Sequence, residues 1–283
     1  MILGAGLGLM RSSPVGGGGG LLLDQFPGAS VAYSLRLLSN TYSGDCVKVR
    51  RDSDNTEQSI GFSGGVVDMA SITTFCGGAG SGIGGFVSVW YDQSGNALDI
   101  TQAVSTSQMQ IVSDGDSFYL WNGHPRIYEA GRKAMYTIYF TLIPTGWSGT
   151  NFSCAYPGGH NNFWGLYTGT NALYNGVYGG TGAVLKMNEY YTPIVTGTIM
   201  ATASEFNLVT SVWNDTPGDC ELFVNGVSDG SVDTYSPINY SRFSIPYSIS
   251  TDEADPVELI FYPSDVGADR SGIETNIIDY YGI

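Results

Sequence analysis

Five glutamates are the first candidates for acid–base chemistry: Glu129, Glu189, Glu205, Glu221 and Glu258. Two carboxyl groups about 5 Å apart, or somewhat more, can cleave a glycosidic bond between them. A sequence carries no such distances, and a glutamate on a strand of an acidic protein is usually a surface group. Glu258 stands beside the apolar run "PVELIFYP" and is the first of the five to examine. The two histidines, His124 in "WNGHPR" and His160 in "PGGHNNFWG", lack a G-x-S-x-G elbow and read as loop residues.

Metal and phosphate chemistry find little support. The Asp-rich turns "DSDN" (52–55), "SDGDS" (113–117) and "STDEAD" (250–255) could offer oxygens to calcium. None follows the twelve-residue calcium loop, and ordinary turn chemistry accounts for them. No cofactor and no metal site is expected. The glycines of 77–85 do not introduce a helix, so they make a poor phosphate cradle.

Aromatic residues are more suggestive. The stretch 158–180 sets Phe163, Trp164, Tyr167, Tyr174 and Tyr178 among Asn and Gly. Such rings can stack on the apolar faces of sugars while amides bind hydroxyls. The same rings would equally serve as the core of a sandwich on alternate strand positions.

The elements that must position these groups are short strands. The chain has 283 residues, 42% hydrophobic, 13% aromatic and only 13% charged, with 40 Gly and 19 Tyr. That mixture suits strands joined by tight turns. Strands are predicted near Cys46–Arg50, up to Phe62, and over Phe86–Tyr91. Others are predicted in "SFYLWNG", "AMYTIYFTLI", "FSCAY", "FWGLY", "LYNGVYGG", "FNLVTSVWN" and "PVELIFYP". "CELFVNGVSDGS" reads as a hairpin turning on Asn225-Gly226. Helices are predicted in "SVAYSLRLL", in "DMASITTFCGG" with Asp68 as cap, and at the C-terminus with Ile273, Ile277 and Tyr281 on one face. Asp92 and Gly95 should pin the turn of "YDQSGN". Without βαβ alternation, the sheet should be antiparallel.

Charge and the first residues bound the partners. The net charge of −15, from 26 acidic and 11 basic residues, disfavours nucleic acid and anionic membranes. The opening "MILGAGLGLM" is too short and too rich in glycine to span a membrane. Arg11 follows this run, whereas a secretion signal places its positive charge before it. The reading is an assembly arm over 1–24, with Ile2, Leu3, Leu7, Leu9 and Met10 packing against a neighbour, ahead of a folded domain over 25–283. Membrane insertion is not expected.

Three groups of segments resemble known families. "WNDTPGDCELFVNGVSDGS" resembles the Trp strand and hairpin of laminin-G-like, concanavalin A-type jelly rolls. "CVKVRRDSDNTEQSIGF", "FCGG" and "VWYDQSGNALDITQA" resemble the sandwich domain of α-L-arabinofuranosidases. "ELIFYPSDVGADRSGIETNIIDYYGI" resembles the closing strand and helix of phage tail- and fibre-associated proteins. The resemblances imply an all-β, concanavalin A-like antiparallel β-sandwich with a few short helices, including a C-terminal one.

The arabinofuranosidase resemblance implies a vicinal cysteine pair at the sugar pocket, and Cys46, Cys76, Cys154 and Cys220 are nowhere adjacent. The expectation is therefore a non-enzymatic structural protein of a bacteriophage virion: a fibre, tail-adaptor or head-decoration component. Its partners would be other virion proteins held through the arm, and host cell-surface glycan. It would form a homo-oligomer such as a trimer, assembled in the host cytoplasm. The alternatives are a glycoside hydrolase of arabinofuranosidase type and a stand-alone lectin. Assembly in a reducing compartment predicts unpaired cysteines. Thiol titration of denatured, unreduced protein should find four; finding none would point to two disulfides.

Overall fold

The computed structural model describes residues 20–77, 85–114, 117–121, 136–139, 149–156, 162–168, 171–177, 184–189, 192–200, 206–213, 218–235, 242–245 and 255–283. Strands dominate it. The first ten are β1 (Val31–Ser34), β2 (Val47–Arg51), β3 (Glu57–Ile60), β4 (Phe62–Ser63), β5 (Val66–Val67), β6 (Gly85–Trp90), β7 (Ile100–Thr101), β8 (Gln110–Asp114), β9 (Ser117–Trp121) and β10 (Tyr136–Tyr139). Then follow β11 (Gly149–Tyr156), β12 (Asn162–Thr168), β13 (Asn171–Val177), β14 (Val184–Glu189), β15 (Thr192–Met200), β16 (Asn207–Trp213), β17 (Gly218–Val224), β18 (Val227–Tyr235), β19 (Arg242–Ile245) and β20 (Asp255–Tyr262). The helices are α1 (Leu22–Gln25), α2 (Met69–Cys76) and α3 (Arg270–Tyr281).

Two sheets form the sandwich. One has six strands in the order β1-β20-β11-β16-β17-β18. The other runs β15-β14-β13-β12-β19-β10-β7-β6-β2-β3, with β8 and β9 branching from β6. The pairing within each is antiparallel, as the lack of βαβ alternation predicted. At one edge Asp229 of β18 accepts hydrogen bonds from the backbone N–H groups of Thr198 (2.6 Å) and Ile199 (2.8 Å) of β15, tying one sheet to the other. Tyr33, Leu38, Ile60, Ile72, Trp90, Phe152 and Tyr281 are among the most deeply buried side chains.

Most local readings hold for clear reasons. β17 and β18 turn on Asn225 (φ 52°) and Gly226 (φ 78°), the left-handed pair of a tight hairpin. Asp68 caps α2 by accepting from Ser71 N–H at 3.0 Å, and Ser71 holds its carboxyl below the usual range. Helix α3 buries Ile273, Ile277 and Tyr281 and ends at Gly282, whose N–H donates to Ile278 C=O. The aromatic segments "FWGLY" and, through Val177, "LYNGVYGG" fall on the paired strands β12 and β13, as predicted.

One element differs. Residues 30–38, predicted to be helical, contain no helix; residues 31–34 form β1. All four are buried, so there is no polar face for a helix to show to water. On one side β1 pairs with β20, Val31 opposite Phe261 and Ser34 opposite Glu258. On the other, the "YDQSGN" loop gives one backbone bond, Gln93 N–H to Ala32 C=O (2.8 Å), and fills the remaining positions with side chains. Asp92 Oδ1 accepts from Ala32 N–H (2.8 Å), and Gln93 Nε2 donates to Ser34 C=O (3.1 Å). Gln93 Oε1 accepts from Leu38 N–H (2.9 Å), and Asn96 Nδ2 donates to Ser30 C=O (2.9 Å). Tertiary partners at this distance in sequence override local propensity.

The core also reaches back to Leu22 and Leu23, which α1 buries. The arm residues Ile2, Leu3, Leu7, Leu9 and Met10 lie outside the described residues. Cys46, Cys76 and Cys220 are free thiols, and burial pushes the Cys46 thiol well up. No helix among the described residues is long and apolar enough to cross a membrane.

Asp92 also accepts from Ser94 N–H (2.9 Å) and Leu98 N–H (3.1 Å), while Gly95 takes φ 90° between them. Replacing Asp92 by Ala strands three backbone donors, one of them inside the sandwich. An unsatisfied buried donor costs about 1–3 kcal/mol, so urea unfolding of D92A should show a loss of about 2 kcal/mol or more. Unchanged stability would mean that the loop does not organise β1.

Candidate functional site

Among the buried charged groups of the described residues, two stand out as candidates, Glu258 and Arg50. The first, Glu258, is the acid singled out from the sequence. Its side chain is fully buried on β20 and meets Arg36 two residues beyond the end of β1. Arg36 donates through Nε to Oε2 (2.7 Å) and through Nη2 to Oε1 (2.9 Å), a bidentate fork. Ser34 Oγ (2.7 Å) and Tyr281 Oη (3.2 Å) also donate to Oε2. The Tyr280 ring lies 4.3 Å from the Arg36 guanidinium carbon. Burial alone would drive Arg36 toward its neutral form; the Glu258 carboxylate reverses this and raises its pKa above the usual arginine value.

These contacts exclude Glu258 as a hydrolytic group. Both oxygens are engaged and neither meets solvent, so no substrate can reach them. The apolar run that drew attention to Glu258 is the reason: a strand buried on both faces carries its acid into the core, where it requires a cation.

The second site is an open cavity of about 160 Å³ lined by Arg50, Asp52, Asn55, Phe86, Ser105, Thr106 and Gln108. Strand β2 places Arg50 opposite Phe86 of β6, with the guanidinium carbon 4.8 Å from the ring centroid. Arg50 Nε donates to Gln108 Oε1 (2.6 Å) and Nη1 to Asn55 Oδ1 (2.9 Å). Nη2 reaches Ser105 C=O at 3.5 Å, and Asp52 stands 3.6 Å from Nη1. Gln108 is fixed at its other end, where Nε2 donates to Gln102 C=O (2.8 Å).

The β2–β3 turn supplies one wall of this cavity. Asn55 sits at φ 60°, which Asn tolerates better than most residues. The neighbouring Asp54 is held by Arg51 through Nη2 (2.6 Å) and Nε (3.0 Å) and accepts from Thr56 N–H. These bonds, led by that from Arg51, hold the Asp54 carboxyl far below its usual range. The acids of "DSDN" therefore face arginines. Asp52 is the single carboxylate among the lining residues of the cavity. It is half-buried, and alone it cannot perform two-carboxyl hydrolysis.

The remaining sequence candidates are scattered. Glu221 is half-buried on β17 between Val212 and Ser231, and Glu189 lies on β14 opposite Leu173 and Thr192. Phe163, Trp164 and Tyr167 lie on β12 and Tyr174 on β13, opposite Gly165. Tyr178, Glu129, Glu205, His124 and His160 lie outside the described residues. The Arg50 cavity was missed because the "RRDSDN" run reads as turn scaffold. Its signal was an arginine beside the two valines of the strand Val47–Arg51, which needs partners if buried.

The fold is an antiparallel β-sandwich. The sequence profile of the alpha-L-arabinofuranosidase B catalytic family matches residues 25–177, more than half the chain, and the chain belongs to that family. No curated protein matches it. Trypanosoma rangeli sialidase is similar in structure with TM-score 0.45 and 12% identity, over 71% of this chain and 31% of that one. Domain 4 of an extracellular arabinanase from Geobacillus stearothermophilus, in complex with arabinotriose, gives TM-score 0.39 and 13% identity, over 61% and 81% of the two chains. The heptameric pentraxin of Limulus polyphemus gives 0.37 and 12%, over 49% and 73%. The chain thus spans about a third of the length of the sialidase it matches.

The family match overturns the expectation of a non-enzymatic bacteriophage virion protein. That expectation leaned on the missing cysteine pair and on an N-terminal arm, whereas the family signal runs through the framework of β1 to β13. It favours the alternative of a glycosidase-type protein.

Removing the Glu258 charge should be costly. E258Q leaves Arg36 buried without its counter-charge, and such breakage costs about 3–5 kcal/mol. In denaturant unfolding, the double variant R36M/E258L should be more stable than E258Q, because no orphaned charge remains. A double variant less stable than E258Q would contradict this account.

Proposed function

We propose that this protein is a glycoside hydrolase acting on α-L-arabinofuranosyl linkages of arabinose-containing polysaccharide. The observation that carries this reading is the family match over residues 25–177. The polar, weakly charged composition and the cavity of arginine, amides and hydroxyls support it. The reaction requires an acid to protonate the leaving oxygen and a second carboxylate, about 5–5.5 Å away for retention or about 6.5–9.5 Å for inversion. Glu258 cannot be either. The acids that remain open to the role include Glu129, Glu189, Glu205 and Glu221.

The purified protein should release the aryl group from aryl α-L-arabinofuranosides and arabinose from arabinan. Single amide replacements at those four glutamates, and Asn at the aspartates, should identify a carboxyl whose loss lowers kcat by about 10²–10⁴-fold without altering thermal unfolding. No turnover on any arabinofuranoside, or turnover that survives every amide replacement, would overturn the reading.

A further inference from the structure

We propose that the Arg50 cavity is a binding site for one neutral, pentose-sized sugar residue, serving to hold glycan and not to cleave it. Hydrolysis needs two carboxyls and this cavity presents one, already drawn to Arg50. Its chemistry is nonetheless that of a built polar site. Arg50 and Gln108 are more than nine-tenths buried, and their heads are locked to each other. Three of the five guanidinium N–H groups meet Gln108, Asn55 and, at 3.5 Å, Ser105, which leaves donor capacity for a ligand at this cavity. Ser105 and Thr106 add exposed hydroxyls, and Asn55 adds its amide N–H₂. Adjacent donors and acceptors of this kind match the vicinal hydroxyls of a sugar.

Charge and size narrow the class. Asp52 beside Arg50 opposes an anion, and Arg50 opposes a cation, so a neutral ligand is favoured. A cavity of about 150 Å³ holds a benzene ring, so about 160 Å³ suits one sugar ring and not a chain. The opening toward solvent lets the rest of a glycan continue outward. The choice of arabinose as the sugar rests on the proposed function; the neutral polyol class does not.

Ligand-observed NMR with L-arabinose, which cannot be hydrolysed further, tests this directly. The full-length protein should bind it weakly and saturably, and inorganic phosphate should not displace it. T106W, which fills the cavity from an exposed position, should weaken binding at least tenfold with unchanged thermal unfolding. N55G keeps the left-handed backbone but removes the amide, and should weaken binding severalfold; it also serves if T106W fails to fold. Absence of binding, binding indifferent to both variants, or displacement by phosphate would each overturn the proposal. Binding sensitive to T106W in a protein that hydrolyses no arabinofuranoside would sink the proposed activity and leave this site standing. Hydrolysis accompanied by arabinose binding that ignores both variants would do the reverse.

Discussion

The Arg36–Glu258 pair is the contact on which the β1 edge of the six-stranded sheet depends. It joins the segment after β1 to β20, and through Tyr281 it reaches α3. Residues 222 apart in sequence thus share one buried charge pair. Two buried ions are expensive, and their mutual attraction offsets that cost only with full hydrogen bonding. Here the carboxylate receives two bonds from Arg36, one from Ser34 and one from Tyr281. A misregistered β1 would leave a naked charge in the core, so the pair selects the pairing of Ser34 with Glu258 and rejects a slip of one residue.

The loop 92–96 completes what the ion pair begins. Strand β1 lies at the edge of its sheet, where unpaired N–H and C=O groups invite association with other chains. Asp92, Gln93 and Asn96 occupy that edge with side-chain hydrogen bonds. A protein with few charges thus spends several of them internally: Arg36, Arg50, Asp92, Asp229, Glu258 and Glu274 are all buried. The low charged fraction reflects a fold that uses carboxylates as backbone acceptors and as partners of arginine.

The same economy shapes the cavity at Arg50. Its floor is strand, and its walls are the β2–β3 turn and the 3₁₀ turn at 105–107, joined by one guanidinium. Arg51, the next residue, faces the other way. It grips Asp54 and donates to Phe75 C=O, docking α2 onto the hairpin. Alternation along a strand gives two adjacent arginines opposite duties. The family signal runs through this framework.

The amino-acid sequence by itself determined the all-β class, the hairpin at Asn225-Gly226, helix α2 with its Asp68 cap, and the buried face of α3. Each follows from local chemistry: a left-handed turn pair, a carboxylate before a helix, an apolar side chain every fourth residue. The Asp92–Gly95 turn was legible for the same reason. Only the tertiary structure decided that residues 31–34 are a strand, because β20 and the 92–96 loop, far away in sequence, supply their hydrogen bonds. It alone separated Glu258 from the candidate acids. The residue type permits catalysis, and burial against Arg36 forbids it. It alone made a cavity of Arg50, Asn55, Thr106 and Gln108, for no pattern along a chain records which loops will meet around a buried cation.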